Sequence, residues 1–191
     1  WMGTFSGGAN RLDLKTMDVE VFKNDQKDNN TIGANGITSF LRTQNGQLIV
    51  GTYKGGISVL NRKTRGFERF NTNRDDLSPI SNDNVLALFQ DSLGLIWVGT
   101  ENGLNLFNPT AGTFKSFFHE RGKENSLSSN MVWSFHEDKD GNLWIGTNGG
   151  GLNVWNMQDR KVLRPTFTHF SENISLPSSS IFGIQAGPNN D

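Results

Sequence analysis

Several side chains in this sequence are of types that carry out acid–base or metal chemistry. The three histidines, His119, His136 and His169, lack the H-x-x-x-H spacing of a zinc site. The neighbours Glu137 and Asp138 could act as a general acid and base. Residues 138–142, Asp-Lys-Asp-Gly-Asn, offer the oxygen ligands that Ca²⁺ prefers but lack the distant Glu of a calcium loop. The sequence therefore predicts no metal site.

The sequence motifs for nucleophilic catalysis and for phosphate binding are also incomplete. The glycines of 149–151 are not followed by the Lys and Ser/Thr of a phosphate-binding loop. No Ser, His and Asp pattern proposes a catalytic triad, and cysteine is absent. The sequence predicts no cofactor and no enzymatic activity for this segment.

Composition narrows the class of protein. With a net charge of −1 and a pI of about 6.3, the chain has no basic surplus for neutralising nucleic-acid phosphates. No apolar run approaches the length of a membrane-spanning helix. The 22 glycines, 14 phenylalanines and 5 tryptophans are typical of short aromatic strands joined by glycine turns. An all-β protein is expected.

A fixed repeat positions these side chains. The dipeptide Gly-Thr begins at Gly3, Gly51, Gly99 and Gly146, in steps of 48, 48 and 47 residues. Two places before each glycine stands a large apolar residue, in the order Trp1, Ile49, Trp97 and Trp144. A period of this size indicates tandem structural units.

One unit can be followed along its third copy. The apolar runs 85–89, 95–100 and 104–107 are separated by turns containing Gly94 and Gly103, and the alternating segment 114–117 follows. Four short antiparallel strands per repeat predict the blade of a β-propeller, whereas helical repeats would need apolar stripes that these runs lack.

The whole chain is expected to be one propeller segment of about four blades. Its repeats cover approximately residues 1–35, 36–84, 85–130 and 131–180, and 181–191 would be the first strand of a further blade. The first repeat would lack its first strand. A ring of four blades closed by the last strand is one alternative, and a larger ring of about seven blades is favoured.

The repeat gives structural roles to several candidate residues. The tryptophans Trp1, Trp97 and Trp144 are expected to fill the gaps between blades. Trp97→Ala or Trp144→Ala should unfold the array, whereas Trp→Phe should be tolerated. The glycines Gly51, Gly99 and Gly146 belong to the same frame. Gln90 and Asp91 align with Glu137 and Asp138, which favours a hairpin turn over catalysis or calcium binding.

Binding residues are expected where the copies differ. Loops on a rigid scaffold commonly carry function, and Phe5, Tyr53, Glu101 and Asn148 follow the successive Gly-Thr pairs. Tyr53, Glu101, Asn148 and Trp133 are the candidate ligand-binding residues. Tyr53 and Trp133 are favoured among them, because aromatic rings with polar tips suit sugar recognition. His169 aligns with Arg69 and Ser116 and is expected at a solvated position of an outer strand.

Residues 137–153, Glu-Asp-Lys-Asp-Gly-Asn-Leu-Trp-Ile-Gly-Thr-Asn-Gly-Gly-Gly-Leu-Asn, closely resemble the two-component regulator propeller repeat. Residues 91–105 resemble it as well, and the Leu-Ser of 127–128 fits the pattern. The second copy departs from it, with Ile49 in place of Trp and Arg42-Thr43 in place of the acidic pair.

The resemblance implies a periplasmic sensor module of a membrane receptor, whose output domain is a histidine kinase, often a hybrid kinase, or a GGDEF diguanylate cyclase. It further implies an oligosaccharide ligand, a homodimeric parent, and contact with the membrane only through that parent. A protein-interaction scaffold is the alternative, and an enzyme is a third reading that the apolar first strands disfavour.

Overall fold

The structure is a computed structural model that describes residues 1–74, 78–171 and 176–187. It contains four antiparallel sheets, one for each repeat. We call these sheets blades and number them along the chain. Blade 1 consists of β1 (Met2–Gly3), β2 (Ala9–Leu12) and β3 (Val19–Phe22). Blade 2 consists of β4 (Gly36–Arg42), β5 (Leu48–Tyr53), β6 (Ile57–Leu60) and β7 (Phe67–Phe70). Blade 3 consists of β8 (Val85–Gln90), β9 (Ile96–Thr100), β10 (Gly103–Asn108) and β11 (Thr113–Phe117). Blade 4 consists of β12 (Val132–Glu137), β13 (Leu143–Thr147), β14 (Leu152–Trp155) and β15 (Phe167–Phe170).

The predicted all-β propeller architecture is confirmed. Blades 2, 3 and 4 each have four strands in sequential order, and blade 1 has three. Short turns with glycine at positive φ join the strands, as at Gly94 (79°) and Gly141 (79°). Glycine suits these turns because it has no Cβ to clash in the left-handed region.

A β-bulge interrupts the first strand of each complete blade at the same place. The register shifts between Ile37 and Ser39 in β4, between Val85 and Ala87 in β8, and between Val132 and Ser134 in β12. The residue at this bulge in β12 is Trp133.

The glycine of each Gly-Thr pair lets neighbouring blades approach. A Cβ added to Gly99 would lie 2.7 Å from the carbonyl oxygen of Val132 and 2.8 Å from its Cγ1. Gly3, Gly51 and Gly146 meet Ile37, Val85 and Ile181 in the same way, at 2.7–2.8 Å from the nearest side-chain carbon of each. These glycines are therefore the contact points between successive first and second strands.

The core lies in the layers between blades. Trp97 is fully buried and contacts Trp155 of the next blade at 5.3 Å between ring centroids. Ile49, which replaces the tryptophan in the second copy, is also fully buried, in a cluster with Val98 and Phe107 of blade 3. Trp1 and Trp144, at the two ends of the array, remain partly exposed.

The chain continues past blade 4 along the path expected for another first strand. Ile181 N–H donates to the carbonyl oxygen of Thr147 (2.9 Å), as Ile37 N–H does to Thr4 (2.9 Å). Residues 181–187 nevertheless form no ladder within the described chain, and 188–191, the end of the predicted strand, lie outside the described residues.

One element departs from the expected strand-only pattern. The short helix α1 (Met157–Lys161) lies in the connection between β14 and β15 and is capped by Asn156, whose side chain accepts from Asp159 N–H. This connection is longer than its counterparts, and it buries Arg160 completely.

Candidate ligand-binding face

Polar residues that recur at equivalent positions of blades 3 and 4 form the same hydrogen bonds in each of these blades. In blade 3, Asn105 Oδ1 accepts from the backbone N–H of Ser81 (2.9 Å), and its Nδ2 donates to Ser81 Oγ (2.9 Å). Thr100 Oγ1 donates to the carbonyl oxygen of Gly103 (2.9 Å). Ser128, Thr147, Gly151 and Asn153 repeat this arrangement in blade 4. Since these groups already satisfy one another and Thr100 and Asn105 are fully buried, the motif holds the blade together.

The acidic residue of each Asp-containing turn binds the tryptophan of the strand that follows. Asp91 Oδ2 accepts from Trp97 Nε1 (2.7 Å), and Asp138 Oδ2 accepts from Trp144 Nε1 (2.8 Å). Asp138 also accepts from the backbone N–H groups of Asp140 (3.0 Å) and Asn142 (2.8 Å). This bonding agrees with the interpretation of residues 138–142 as a hairpin turn.

The pKa values of these two equivalent carboxylates are shifted in opposite directions. Burial raises the pKa of Asp91, against the opposing effects of the hydrogen bond from Trp97 and the charge of Arg160. Burial also raises the pKa of Asp138, but the hydrogen bonds from Trp144 and Asn142 together outweigh it, so the net pKa is lowered. The difference follows from the position of Asp91 between two blades, while Asp138 lies beside the more open face of blade 4.

Glu137 and Arg160 tie blade 4 to blade 3. Glu137 accepts from the backbone N–H (2.6 Å) and hydroxyl (2.9 Å) of Ser92 in the preceding blade and is hydrogen-bonded by Arg160. Arg160 also donates to the carbonyl oxygen of Gly141 (2.7 Å), and its Nε lies 3.5 Å from Asp91 Oδ2. We call Asp91, Glu137 and Arg160 the buried clamp. Glu137 is therefore used between blades, which the turn interpretation did not anticipate.

Two histidines fasten the connection between blades 3 and 4. His119 Nδ1 lies 2.8 Å from the carbonyl oxygen of Leu127, and His169 Nε2 lies 2.6 Å from that of Ser126, so each nitrogen must donate. His169 lies on the outer strand β15, as expected, but its ring is half-buried and bonded to the backbone instead of solvated. Arg69, its counterpart on β7, likewise donates to the carbonyl oxygens of Asp28 (2.6 Å) and Thr31 (2.6 Å).

No metal centre is apparent in the described ranges. Across residues 1–74, 78–171 and 176–187, no group of three His, Cys, Asp or Glu side chains could hold a metal ion. Within the same ranges, no helix has the length and apolar character needed to cross a membrane.

The residues that follow each Gly-Thr form a row along one side of the array, which we call the upper face. They are Phe5, Tyr53, Glu101 and Asn148, each at the end of a second strand or within two residues of it. The row runs from blade 1 to blade 4, and within it the rings of Phe5 and Tyr53, on neighbouring blades, contact each other.

An aromatic platform occupies the beginning of this row. The rings of Phe5 and Tyr53 lie 6.4 Å apart between centroids, and 83% of the Phe5 side chain is exposed. The Lys54 ammonium lies 5.2 Å from the Tyr53 ring centroid, within cation–π range. Lys54 adopts a positive φ of 69°, where the equivalent residue of blade 4 is Gly149 (77°). A non-glycine residue in this conformation is strained.

Asn84 holds the turn of Lys54 beside the turn of Glu101. Its Oδ1 accepts from Lys54 N–H (2.9 Å), and its Nδ2 donates to Glu101 Oε2 (2.5 Å). Asn148 is held in a related way, because Ser180 Oγ donates to its Oδ1 (2.6 Å). The predicted residues Glu101 and Asn148 thus lie on the same face as Tyr53, but their side chains already have protein partners.

Trp133 lies apart from Tyr53, two blades further along. Its ring meets that of Phe182 at 5.1 Å between centroids and 78° between planes. Its buried Nε1 has no hydrogen-bond partner within the described residues. The structure therefore does not combine the two predicted aromatic residues in one pocket.

Sequence reasoning missed Lys54 and Asn84. The repeat alignment could have identified Lys54, because it stands where glycine is found in the fourth copy. The role of Asn84 depends on contacts between blades, for which the sequence carries no direct signal.

Comparison with known proteins identifies a family that two segments of this chain match. Residues 79–102 and 126–149 match the two-component regulator propeller family. No curated protein sequence matches the chain.

Similar solved structures are extracellular domains and a surface protein. The extracellular domain of BT4673 from B. thetaiotaomicron, described as a one-component system, is 26% identical with a TM-score of 0.74, and the match covers all of this chain and 24% of that one. The extracellular domain of the hybrid two-component system BT3049 from the same organism is 22% identical, with a TM-score of 0.53, and the match covers all of this chain and 29% of that one. PorZ of Porphyromonas gingivalis, a surface component of the type-IX secretion system, is 18% identical with a TM-score of 0.67, and the match covers 96% of this chain and 27% of that one.

The chain thus spans about a quarter of the length of these relatives. The likeness to BT3049 and PorZ concerns the fold alone. The blades, the Gly-Thr frame and the two matched segments agree, and the repeats of blades 3 and 4 match the two-component regulator propeller repeat.

Proposed function

We propose that this chain is a ligand-binding segment of a receptor's sensor propeller, located outside the cytoplasm, in the periplasm. The observation that carries the proposal is the family match in blades 3 and 4, together with the 26% identity to an extracellular domain of a signalling system. The parent receptor, in this proposal, acts as a homodimer and transmits the signal to a histidine kinase or a diguanylate cyclase.

The ligand we propose is an oligosaccharide bound at the Phe5–Tyr53 platform. Exposed rings suit the apolar faces of pyranoses, and polar groups around them can bind hydroxyls. Lys54 supplies a donor beside the Tyr53 ring, and the Glu101 carboxylate lies on the next blade, linked to the Lys54 turn through Asn84. The strained backbone of Lys54 supports this site, because residues held in strained conformations cluster at binding and active sites.

Calorimetric titration with an oligosaccharide panel tests this site. We expect a sugar that binds the wild-type chain to bind Tyr53→Ala at least about tenfold more weakly, since aromatic contacts contribute roughly 0.5–1.5 kcal/mol beyond their buried area. Tyr53→Phe should retain most of the affinity. Val162→Ala, which also shortens an exposed apolar side chain, is the matched control on the opposite face.

Unchanged affinity of Tyr53→Ala for a bound sugar would remove this site from the proposal. Absence of any sugar binding, combined with capture of a protein partner that Tyr53→Ala no longer binds, would favour the scaffold function. The exposure of Phe5 gives that alternative its specific support.

A further inference from the structure

Asparagine is directly followed by glycine at four places in this chain, at Asn35, Asn45, Asn102 and Asn148. In this dipeptide the glycine amide nitrogen can attack the asparagine Cγ and displace the side-chain amide. Glycine permits the attack because it has no side chain to crowd the ring that forms. The four pairs have the same covalent chemistry, so differences in reactivity between them come from the fold.

The fold opposes this attack at the first three pairs. Gly46 N–H donates to the carbonyl oxygen of Thr43 (2.7 Å), and Gly103 N–H donates to that of Asn130 (2.7 Å). Gly36 is held in the strand pairing of β4. A carbonyl oxygen accepts a hydrogen bond but does not take up the proton that an attacking nitrogen has to lose.

The pair Asn148–Gly149 has a different partner, the hydroxyl of Ser180. Gly149 N–H donates to Ser180 Oγ (3.3 Å), and the same hydroxyl donates to Asn148 Oδ1 (2.6 Å). Gly149 is exposed, has a φ of 77°, and leaves open space around the position of an added Cβ. One hydroxyl thus bridges the attacking nitrogen and the carbonyl group under attack.

Each end of this bridge promotes one part of the reaction. The Ser180 oxygen receives the proton of the Gly149 nitrogen as the new bond to carbon forms. The Ser180 hydroxyl proton stabilises the negative charge that develops on Asn148 Oδ1. A hydroxyl serves both roles because it is a donor and an acceptor.

We propose that Asn148 is a self-modification site, which the fold converts into aspartate and isoaspartate through a succinimide with Ser180 as proton relay. The Gly149 nitrogen bonds to Asn148 Cγ, and the Cγ–Nδ2 bond breaks to release ammonia, which carries away the proton that the nitrogen lost. Water then opens the ring. Its addition at Cγ gives aspartate, and its addition at the backbone carbonyl carbon gives isoaspartate.

The products change the charge of the upper face. Asn148 and Glu101 each follow a Gly-Thr pair, so either product gives blade 4 a carboxylate where blade 3 already has one. Isoaspartate also inserts a side-chain carbon into the main chain between β13 and β14. The reaction needs no bound ligand, so this inference does not rest on the proposed sugar site.

Peptide mass spectrometry of the full chain, incubated at neutral pH in heavy-oxygen water, tests the proposal. In the folded chain we expect acid formation at Asn148 to be at least about tenfold faster than at Asn45 and Asn102, since a positioned proton acceptor contributes at least that much. In concentrated urea the three rates should converge, and Asn148 should react more slowly than in the folded chain. Fragmentation that locates isoaspartate identifies the succinimide route, because direct hydrolysis of the amide gives aspartate alone.

Variants separate the hydroxyl from the turn that carries it. Ser180→Ala should slow the reaction at Asn148 about tenfold or more, whereas Ser180→Thr keeps a hydroxyl and should retain most of the rate. Ser129→Ala is the matched control, because Ser129 Oγ donates to the backbone oxygen of Asn148 (2.8 Å) and not to its side chain. Gly149→Ala should also slow the reaction, while Gly122→Ala, at a similar φ of 82° in open space, should leave it unchanged.

A rate at Asn148 in the folded chain no higher than its rate in urea, or no higher than the rates at Asn45 and Asn102, would overturn the proposal. An unchanged or faster reaction in Ser180→Ala would do the same. Equal slowing by Ser180→Ala and Ser129→Ala would show that the rigidity of the turn, and not the hydroxyl, sets the rate. The urea comparison uses the wild-type chain alone, so a variant that fails to fold cannot leave the question open.

Discussion

At the scale of single residues, the groups that could perform chemistry are used for structure. The turn carboxylates of Asp91 and Asp138 accept from indole N–H groups, and His119 and His169 donate to carbonyl oxygens. Inside blade 3, Thr100 donates to the carbonyl oxygen of Gly103 and Asn105 donates to the hydroxyl of Ser81. Buried polar groups need such partners because losing one costs the full desolvation of the group left behind.

The indole–carboxylate bond changes the expectation for Trp→Phe substitutions. Trp97→Phe keeps an aromatic ring in the core but leaves the buried Asp91 carboxylate without its indole donor. We expect a loss of about 1–3 kcal/mol in the free energy of unfolding. Trp144→Phe should cost less, because Trp144 and Asp138 are only partly buried.

Urea unfolding of both variants, followed by far-ultraviolet circular dichroism, gives the comparison. Equal stabilities of Trp97→Phe and the wild-type chain would mean that the hydrogen bond to Asp91 makes no net contribution.

At the scale of elements, the second strand of each blade determines how closely blades pack. Its glycine contacts the first strand of the next blade, and its tryptophan or isoleucine packs in the apolar layer between the two blades. The first strand bends at its bulge, which re-aims its side chains. The insertion containing α1 then adds the Arg160 contact at one junction only among the described blades.

Gly99→Ala should separate blades 3 and 4. The new Cβ would lie 2.7 Å from a backbone oxygen of Val132, and a packed backbone cannot yield as a flexible side chain would. We expect a destabilisation of about 1–3 kcal/mol, the usual cost of overpacking. Gly183→Ala, where nothing lies within 4 Å of the added Cβ, is the matched control.

Denaturant unfolding of the two alanine variants tests this expectation. A Gly99→Ala variant as stable as Gly183→Ala would show that the junction between blades can expand without cost.

At the scale of the whole molecule, the blades differ in how deeply their strands are buried. Each blade contacts its neighbours, so stability is approximately a sum of blade and junction terms. All five residues of β9 are buried, whereas both residues of β1 are exposed and β3 alternates between exposed and half-buried positions.

Native-state hydrogen exchange should reproduce this gradient. We expect amide protection to be highest in β9 and β13 and lowest in β1 to β3, because strands with few buried contacts open without global unfolding. Mass spectrometry of peptides from each blade measures it. Protection in β1 to β3 equal to that in β9 would mean that the array opens as a single unit.

Much of the fold followed from the sequence because its signals are local and repeated. The strand runs, the glycine turns and the missing first strand of blade 1 were all predicted from the spacing of Gly-Thr pairs. The candidate site could be predicted only as a set of equivalent positions. Whether Tyr53 meets Phe5 or Trp133 depends on which blades are adjacent and where their side chains turn.

The sequence by itself determined the number of repeats, the four strands of a blade and the order of apolar and turn residues, because these depend on neighbours along the chain. Only the tertiary structure decided that Glu137 reaches Ser92 and that Arg160 is buried beside Asp91. These contacts join residues from different blades, and their free energy depends on desolvation in the layer between blades, which exists only after the blades have packed.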